Sequence, residues 1–398
     1  MTQITMVAGE PSGDLLAARV LGGIKASLPG CQFTGIGGPA LHAAGQTQWH
    51  DMEALSVFGY VDALKQLPRL WRIFQNTKKR CLNTRPNVYV GIDAPDFNLR
   101  MEKALKAAGI PTIQFVSPSI WAWRYERIHS IRESVSHMLV LFPFEVPLYE
   151  KEGIPVTFVG HPLAKEIPLE PDMQMARKAL GLDPKSSVLT ILPGSRASEI
   201  KWLAPLFFNV AARLQMKHPE LELLIPAVNP KRAAEIKTEL KRHSLQHVHI
   251  IESGHTPKDA TDESIEQTDQ PLSWRCMQAA DALLLASGTA ALEGMMFKKP
   301  MVISYILSPL MRKIMAWQSG QERPYTQWVG LPNILANKEI APEFLQDDAT
   351  VENILPAIET ALFDNSYRQW VKQESFVLHQ QLRQDTAALA AKVIVQYS

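Results

Sequence analysis

Short apolar, β-branched runs alternate with longer segments of helical period from the start of the chain. Ile4–Ala8, Gln32–Ile36, Val88–Ile92, Thr112–Val116, Met138–Phe142 and Val156–Val159 predict strands. Segments such as Asp14–Leu28 and Phe97–Ala108 predict the helices between them. Near-continuous apolar strands suit a parallel sheet buried on both faces. The order βαβα then predicts a doubly wound α/β layer. A Pro-rich stretch, from Gly160 through Pro162 and Pro168 to Pro171, reads as a linker. Beyond it the alternation restarts, with strands at Val188–Leu192, Leu221–Pro226, His247–Ile251, Ala282–Ala286 and Pro300–Tyr305. Helices are predicted at Arg196–Lys217, Lys231–Arg242 and Thr289–Lys298. Two Rossmann-like domains follow, over residues 1–165 and 166–365. A helical tail over 366–398 is expected to pack on the first domain or on a partner chain. The polar, acidic run Gly254–Pro271 reads as a surface insertion.

Composition narrows this picture. The chain has 398 residues, more than one core usually supports. Its 41 basic and 40 acidic side chains leave a net charge of +1, which argues against a nucleic-acid binder acting by overall charge. The three cysteines, Cys31, Cys81 and Cys276, stand at neither metal nor redox spacing and point to a reducing compartment. The opening MTQITMVAGEPSGD has no basic start, so no signal peptide is expected. No apolar run reaches spanning length. A cytoplasmic protein, soluble or peripheral, is expected.

Four strand-to-helix turns carry candidate chemistry. Gly9-Glu10-Pro11-Ser12-Gly13-Asp14 allows a tight turn with N–H groups close to a ligand, or simply starts a helix near Asp14. It lacks GxGxxG spacing and a P-loop lysine. In Gly91-Ile92-Asp93-Ala94-Pro95-Asp96, two acids sit at the carboxyl end of a predicted central strand. That end faces the ligand crevice in open α/β sheets, where a carboxylate can accept a hydroxyl proton. Asp96 reads as a helix N-cap, which leaves Asp93 as the functional candidate. Leu192-Pro193-Gly194-Ser195-Arg196 offers turn N–H groups and a guanidinium to an anion such as phosphate. In Ser287-Gly288-Thr289 with Glu293, Thr289 and Glu293 share a helix face. That suits a phosphate at the helix start and a ribose diol one turn later.

A fifth stretch, Val57 to Arg80, places apolar residues at helical spacing among basic ones. It suits a membrane surface or lipid groove, or a core-facing helix with a solvated basic face. Pro68 is expected to interrupt it. Pro309–Trp317 carries the same ambiguity, and Trp121, Trp123 and Trp317 read as core or acyl-contact residues. No metal site is expected. The absence of a Gly-x-Ser-x-Gly elbow argues against an α/β-hydrolase.

The stretches VAGEPSGD (Val7–Asp14), VGIDAPDFN (Val90–Asn98), VSPSIWAWR (Val116–Arg124), FVGHPLA (Phe158–Ala164), LPGSRASEI (Leu192–Ile200), LLASGTAALE (Leu284–Glu293) and LPNILA (Leu331–Ala336) together resemble the lipid-A-disaccharide synthase family. They occur in the family's order and cover nearly the whole chain. The resemblance implies a GT-B fold, with two Rossmann-like halves facing a cleft. It implies transfer of 2,3-diacylglucosamine from its UDP conjugate to the 6-hydroxyl of 2,3-diacylglucosamine 1-phosphate. The products are a β-1,6-linked disaccharide phosphate and UDP. Lys165 departs from the acid expected there.

The family inverts at the anomeric carbon, which implies one in-line displacement without a metal or other cofactor. Asp93 fits the base, with Glu10 as reserve. Arg196, Ser195 and the turn Ser287–Gly288–Thr289 would neutralise the departing diphosphate. Glu293 would hold the ribose, and the resemblance adds Asn333 as a cleft contact. Val57, Phe58, Leu64, Leu67, Trp71 and Phe74, with Arg69 and Arg72, would meet acyl chains and the inner membrane face. A homodimer is suggested by the resemblance and the unplaced tail. Two other readings remain open from the motifs: a UDP-sugar 2-epimerase on the same fold, and a peripheral membrane protein that only binds nucleotide.

Overall fold

The computed structural model describes residues 2–55, 60–252, 270–308, 312 and 325–398, with residues 60–66 described in backbone alone. Val57 and Phe58, most of the run 254–271, and the stretch 309–317 apart from Arg312 lie outside the described residues. The chain divides into two compact units, Met1–Lys165 with Leu382–Ser398, and Glu166–Gln381.

In the first unit the strands are β1 (Gln3–Val7), β2 (Gln32–Gly37), β3 (Thr47–Asp51), β4 (Val88–Gly91), β5 (Thr112–Phe115), β6 (His137–Val140) and β7 (Val156–Phe158). They form one sheet in the order β3-β2-β1-β4-β5-β6-β7. Each described pairing is parallel. Chain order reverses between β1 and β4. A ligand crevice is expected outside the carboxyl ends of the strands at that point.

The second unit repeats this plan. Its strands are β8 (Val188–Leu192), β9 (Glu222–Pro226), β10 (Val248–Ile251), β11 (Ala282–Ala286), β12 (Met301–Tyr305) and β13 (Glu343–Leu345). The order is β10-β9-β8-β11-β12-β13, with the reversal between β8 and β11. β8 and β11 are buried at every position, as expected of strands covered on both faces. The sequence pattern missed β3 and β13. Both are edge strands: β3 is largely polar, TQWHD, and β13 has only three residues. Edge strands need no continuous apolar run.

The tail is divided. The helix Asn365–Leu382 lies almost wholly in the second unit, and only Leu382–Ser398 returns to the first. Electrostatics explain the first part. Asp281 accepts hydrogen bonds from Arg177 at 2.7 Å and from the Val188 N–H and Arg368, each at 2.8 Å. Arg368 thereby fastens the tail helix to the starts of β8 and β11. Packing explains the second part. The helix Thr386–Gln396 buries Ala390, Ala391, Val393 and Ile394 in the core beside the helix Pro11–Ser27. Lys165 pairs with Asp385 at 3.1 Å, so the unexpected lysine joins the linker to this returning segment.

The returning helix approaches Gly23 so closely that a Cβ there would lie 3.1 Å from the Ala391 Cβ. Gly23→Leu is expected to destabilise the first unit by about 1–3 kcal/mol through overpacking. A lowered midpoint for that unit in denaturant unfolding, followed through Trp49, would report it. An unchanged midpoint would show that the two helices separate at little cost.

Candidate active site

At the reversal point of the first sheet, the loops after β1 and β4 meet. The Asp93 carboxylate accepts the Gly9 N–H at 2.6 Å and the Glu10 N–H at 3.1 Å. Burial pushes its pKa up to about 6, with a further rise from the nearby Glu10 charge. The Gly9 and Glu10 N–H groups oppose that rise. Glu10 itself is exposed at the N-terminus of the helix Pro11–Ser27, where its side chain makes no cap. The two acids named from sequence therefore occupy one site in different environments. Asp14 stands apart from the chemistry. It is buried and accepts N–H groups from Gly38, Ala40 and Leu41 at 2.8–3.2 Å, which caps the short helix Pro39–Ala43.

Three neighbours build this geometry. Gly13 leaves room, since a Cβ there would lie 1.8 Å from the Asp93 Oδ2. Ala94 takes a left-handed conformation, φ +46°. That costs a non-glycine residue about 1–2 kcal/mol. Asn98 offsets it: its amide donates to the Asp93 carbonyl at 2.6 Å and the Val7 carbonyl at 3.3 Å, and its oxygen accepts from the Tyr89 hydroxyl at 2.7 Å.

Beside the acids lies a groove of about 1000 Å³, lined by Glu10, Leu55, Leu67, Leu70, Trp71, Phe74, Asp96, Phe97 and Arg100 among others. The helix Tyr60–Thr84 forms one wall and continues through Pro68, which sequence reading expected to break it. Proline gives up one backbone hydrogen bond, while Ile73, Thr77 and Cys81, at helical spacing, fix the helix on the core. Nearer its N-terminus the same helix carries Leu67, 53% exposed, and Trp71, 62% exposed. Trp71 stacks on Phe74 at 5.8 Å, and Phe74 meets Phe97 edge-on at 5.6 Å. The core-only reading of this helix is therefore corrected for Leu67 and Trp71. Arg69 and Arg72 are exposed on the same helix. The Leu64 side chain lies outside the described residues. Trp121 is half-buried and packs edge-on against Phe144 at 5.4 Å.

The second unit places the remaining candidates at its own reversal point. The loop after β8 brings Ser195 and Arg196 to the start of the helix Ala197–Lys217. Sequence reading offers the turn N–H groups to a ligand anion. In the structure the Ser195 and Arg196 N–H groups donate instead to Glu199, at 2.9 and 3.1 Å. A glutamate at the third helical position reaches back to these donors, as the glutamate of a capping box does. Gly194, φ +119°, gives Glu199 the space. The Arg196 guanidinium also touches Glu199 at 3.1 Å yet stays 76% exposed. After β11, Gly288 and Thr289 are exposed at the start of the helix Thr289–Met296, with Ser287 half-buried before them. Gly288 takes φ +149°, which requires glycine. Glu293 is half-buried, and burial raises its pKa against a hydrogen bond from Trp274. Asn333 is corrected to a structural residue. It is fully buried, donates to the Ala341 carbonyl and Glu343, each at 2.7 Å, and accepts the Ile340 and Ala341 N–H groups. Its side chain has no hydrogen-bonding capacity left for a ligand.

A family model described as lipid-A-disaccharide synthetase matches residues 4–395. The chain is 54% identical over 393 residues to a lipid-A-disaccharide synthase of Bordetella avium, covering 99% of this chain and 98% of that one. It is 45% identical over 395 residues to one of Burkholderia thailandensis, covering 99% and 96%. The chain belongs to the lipid-A-disaccharide synthase family. Its activity is that of a glycosyltransferase of lipid A biosynthesis. Among solved structures, it resembles a UDP-GlcNAc 2-epimerase from Neisseria meningitidis bound to UDP-GlcNAc. That match has TM-score 0.61 and 14% identity, and covers 100% of this chain and 99% of that one. It also resembles the calicheamicin glycosyltransferase CalG4, with TM-score 0.57 and 15% identity, covering 100% and 98%. These likenesses support the GT-B fold. Among the described residues, no helix of this synthase-family chain is long and apolar enough to cross a membrane.

Within the synthase motifs, sequence reading missed Gly13, Asn98 and Glu199 as builders of the sites. Gly13 yields the most direct test. Alanine normally favours a helix over glycine by about 1 kcal/mol. Here its methyl group meets the Asp93 carboxylate. Gly13→Ala is expected to lower turnover by about 100-fold or more through misplacement of that group. UDP binding, measured by titration calorimetry, should stay intact. Near-normal turnover would mean that Asp93 need not sit where the structure places it.

Proposed function

We propose that Asp93 is the general base of an inverting, metal-independent glycosyl transfer. In this reading the 6-hydroxyl of 2,3-diacylglucosamine 1-phosphate attacks the anomeric carbon of UDP-2,3-diacylglucosamine. The new C–O bond forms as the bond to the UDP oxygen breaks, and UDP leaves with that electron pair. Asp93 takes the hydroxyl proton. The single observation that carries this is the Asp93 environment, a strand-end carboxylate held by two N–H groups with a pKa of about 6. A base of that strength is mostly ionised at neutral pH yet stronger than an ordinary carboxylate. Glu10 maintains the local negative charge.

The exposed Arg196 guanidinium, the Ser195 side chain and the helix start at Gly288–Thr289 would receive the diphosphate, with Glu293 at the ribose. These groups supply positive charge without a metal. The apolar groove beside Glu10 suits acyl chains, and the exposed Leu67–Trp71 face suits the inner membrane surface; on this reading the chain is a peripheral protein on the cytoplasmic face. The family resemblance also favours a homodimer, while the tail, packed within its own chain, no longer argues for one.

The pH dependence follows from the sign of the shift. Below pH about 6, Asp93 is protonated and inactive as a base, so kcat/KM should fall tenfold per pH unit there. Asp93→Asn should lower kcat by about 10²–10⁴-fold and abolish that acid limb. The assay mixes both acylated sugars with pure protein and follows UDP and disaccharide. A surviving limb in Asp93→Asn would move the base elsewhere, with Glu10 next to test. For the groove helix, replacing Trp71 and Phe74 with serine should reduce flotation with liposomes of anionic phospholipid. Unchanged flotation would remove the membrane role from that face.

A further inference from the structure

The helix that begins just after Asp93, Pro95–Ala107, carries three basic side chains. Two are engaged away from the groove. Lys103 pairs with Glu133 at 2.6 Å, and Lys106 donates to the carbonyls of Arg132 and Val135 at 2.8 and 2.5 Å. The third, Arg100, is exposed and lines the groove. Among the described residues it has neither an ion pair nor a hydrogen bond. The groove holds two acids as well, but Asp96 is already paired with Arg127 at 2.9 Å, and Glu10 lies beside Asp93. Among the described residues, Arg100 is thus the one cation that lines the groove.

Its placement has a direction. Asp96 and Arg100 are four residues apart, so they share a helix face, about 6 Å apart along the axis. Moving along that face from the Asp93 turn leads from a carboxylate to a guanidinium. The other walls, Leu67, Trp71 and Phe74, are apolar. An ion pair beside such walls is stronger than one in open water. The planar guanidinium matches two oxygens of a phosphate at once.

We infer that Arg100 anchors the phosphate monoester of the acceptor sugar. This rests on the acceptor reading above, in which one molecule carries a reacting hydroxyl at one end, a phosphate at the other and acyl chains between. The groove presents a base, a cation and apolar walls in a matching set. Arg100 therefore selects the phosphorylated acceptor over the same diacylated sugar without phosphate. A site built around a charged partner rejects an analogue that lacks it.

The test crosses a side-chain change with a substrate change. Wild type, Arg100→Gln and Arg100→Lys are assayed in neutral detergent micelles with diacylglucosamine 1-phosphate and with its dephosphorylated form. Arg100→Gln is expected to raise KM for the phosphorylated acceptor by 10- to 100-fold with kcat changed less than threefold. Arg100→Lys should fall between. With the dephosphorylated acceptor, a poor substrate, Arg100→Gln and wild type should agree within twofold. Equal losses with both acceptors, or no loss with either, would overturn the assignment. So would an effect confined to flotation on phosphatidylglycerol vesicles, which would make Arg100 a contact for membrane headgroups. Absence of disaccharide from wild type would instead refute the acceptor reading. Calorimetric binding of diacylglucosamine 1-phosphate without donor then decides the phosphate contact separately. A tenfold weakening in Arg100→Gln supports it, and equal affinity overturns it.

Discussion

The Asp93 carboxylate, received by the N–H groups of Gly9 and Glu10, is the joint on which the first unit's site depends. It ties the loop after β1 to the loop after β4, where the sheet order reverses. Two opposing effects act on it. Burial disfavours the anion, and the two N–H groups favour it. Burial wins, but only to a pKa of about 6. Without the N–H groups the carboxyl would stay protonated further into the neutral range. Without burial it would be an ordinary, weaker base. The surrounding sequence is constrained by this compromise: Gly13 because any side chain collides with the carboxylate, and Asn98 because it secures the turn that Ala94 strains.

The second unit uses the same topology with the opposite charge outcome. Its loops after β8 and β11 again flank the reversal point. There, however, the N–H groups of the first loop satisfy the chain's own Glu199. The carboxylate fixes the turn and leaves the Arg196 guanidinium projecting into solvent. An exposed ion pair of this kind contributes little stability. Its consequence is orientation. On the proposed reading, the first unit supplies the carboxylate that takes a proton and the second the cation that meets a leaving diphosphate. That division suits a displacement reaction, whose two ends need opposite charge.

Much of this was legible from periodicity. Buried parallel strands announce themselves as apolar runs, and the residue at a strand's carboxyl end is a strong candidate for chemistry. Asp93, Arg196 and the Ser287–Thr289 turn read as candidates that way, and the structure sets them beside the two reversal points. What escaped has a common cause: one residue type can serve several tasks. Asn333 lies in a motif but spends every hydrogen bond on Glu343 and the 340–341 backbone. Glu199 looks like any first-turn acid. Asn98 looks like a helix residue, because sequence alone does not reveal that its amide points back to the Asp93 carbonyl. Edge strands β3 and β13 escaped because a sheet edge can be polar or very short. The tail escaped division because Arg368 finds its partner, Asp281, 87 residues earlier.

The groove helix reconciles the balanced net charge with a lipid substrate. It is fixed on the core through Ile73, Thr77 and Cys81, and nearer its N-terminus it exposes Leu67 and Trp71. An enzyme that takes an acylated sugar from a bilayer must touch the bilayer and also leave it. Burial of acyl or side-chain carbon contributes about 0.8 kcal/mol per methylene, and even one myristoyl chain binds membranes only marginally. On the proposed reading, a patch of a few side chains therefore gives weak, reversible contact, which exposed basic residues such as Arg69 and Arg72 strengthen on an anionic surface. A net charge of +1 across 398 residues is compatible with this because the attraction is local. Beyond a Debye length of about 8 Å, the charges elsewhere on the chain are largely screened. On the proposed reading, the groove's apolar walls then finish what the surface contact begins, since the acyl chains move from one apolar environment to another and lose little burial in transit.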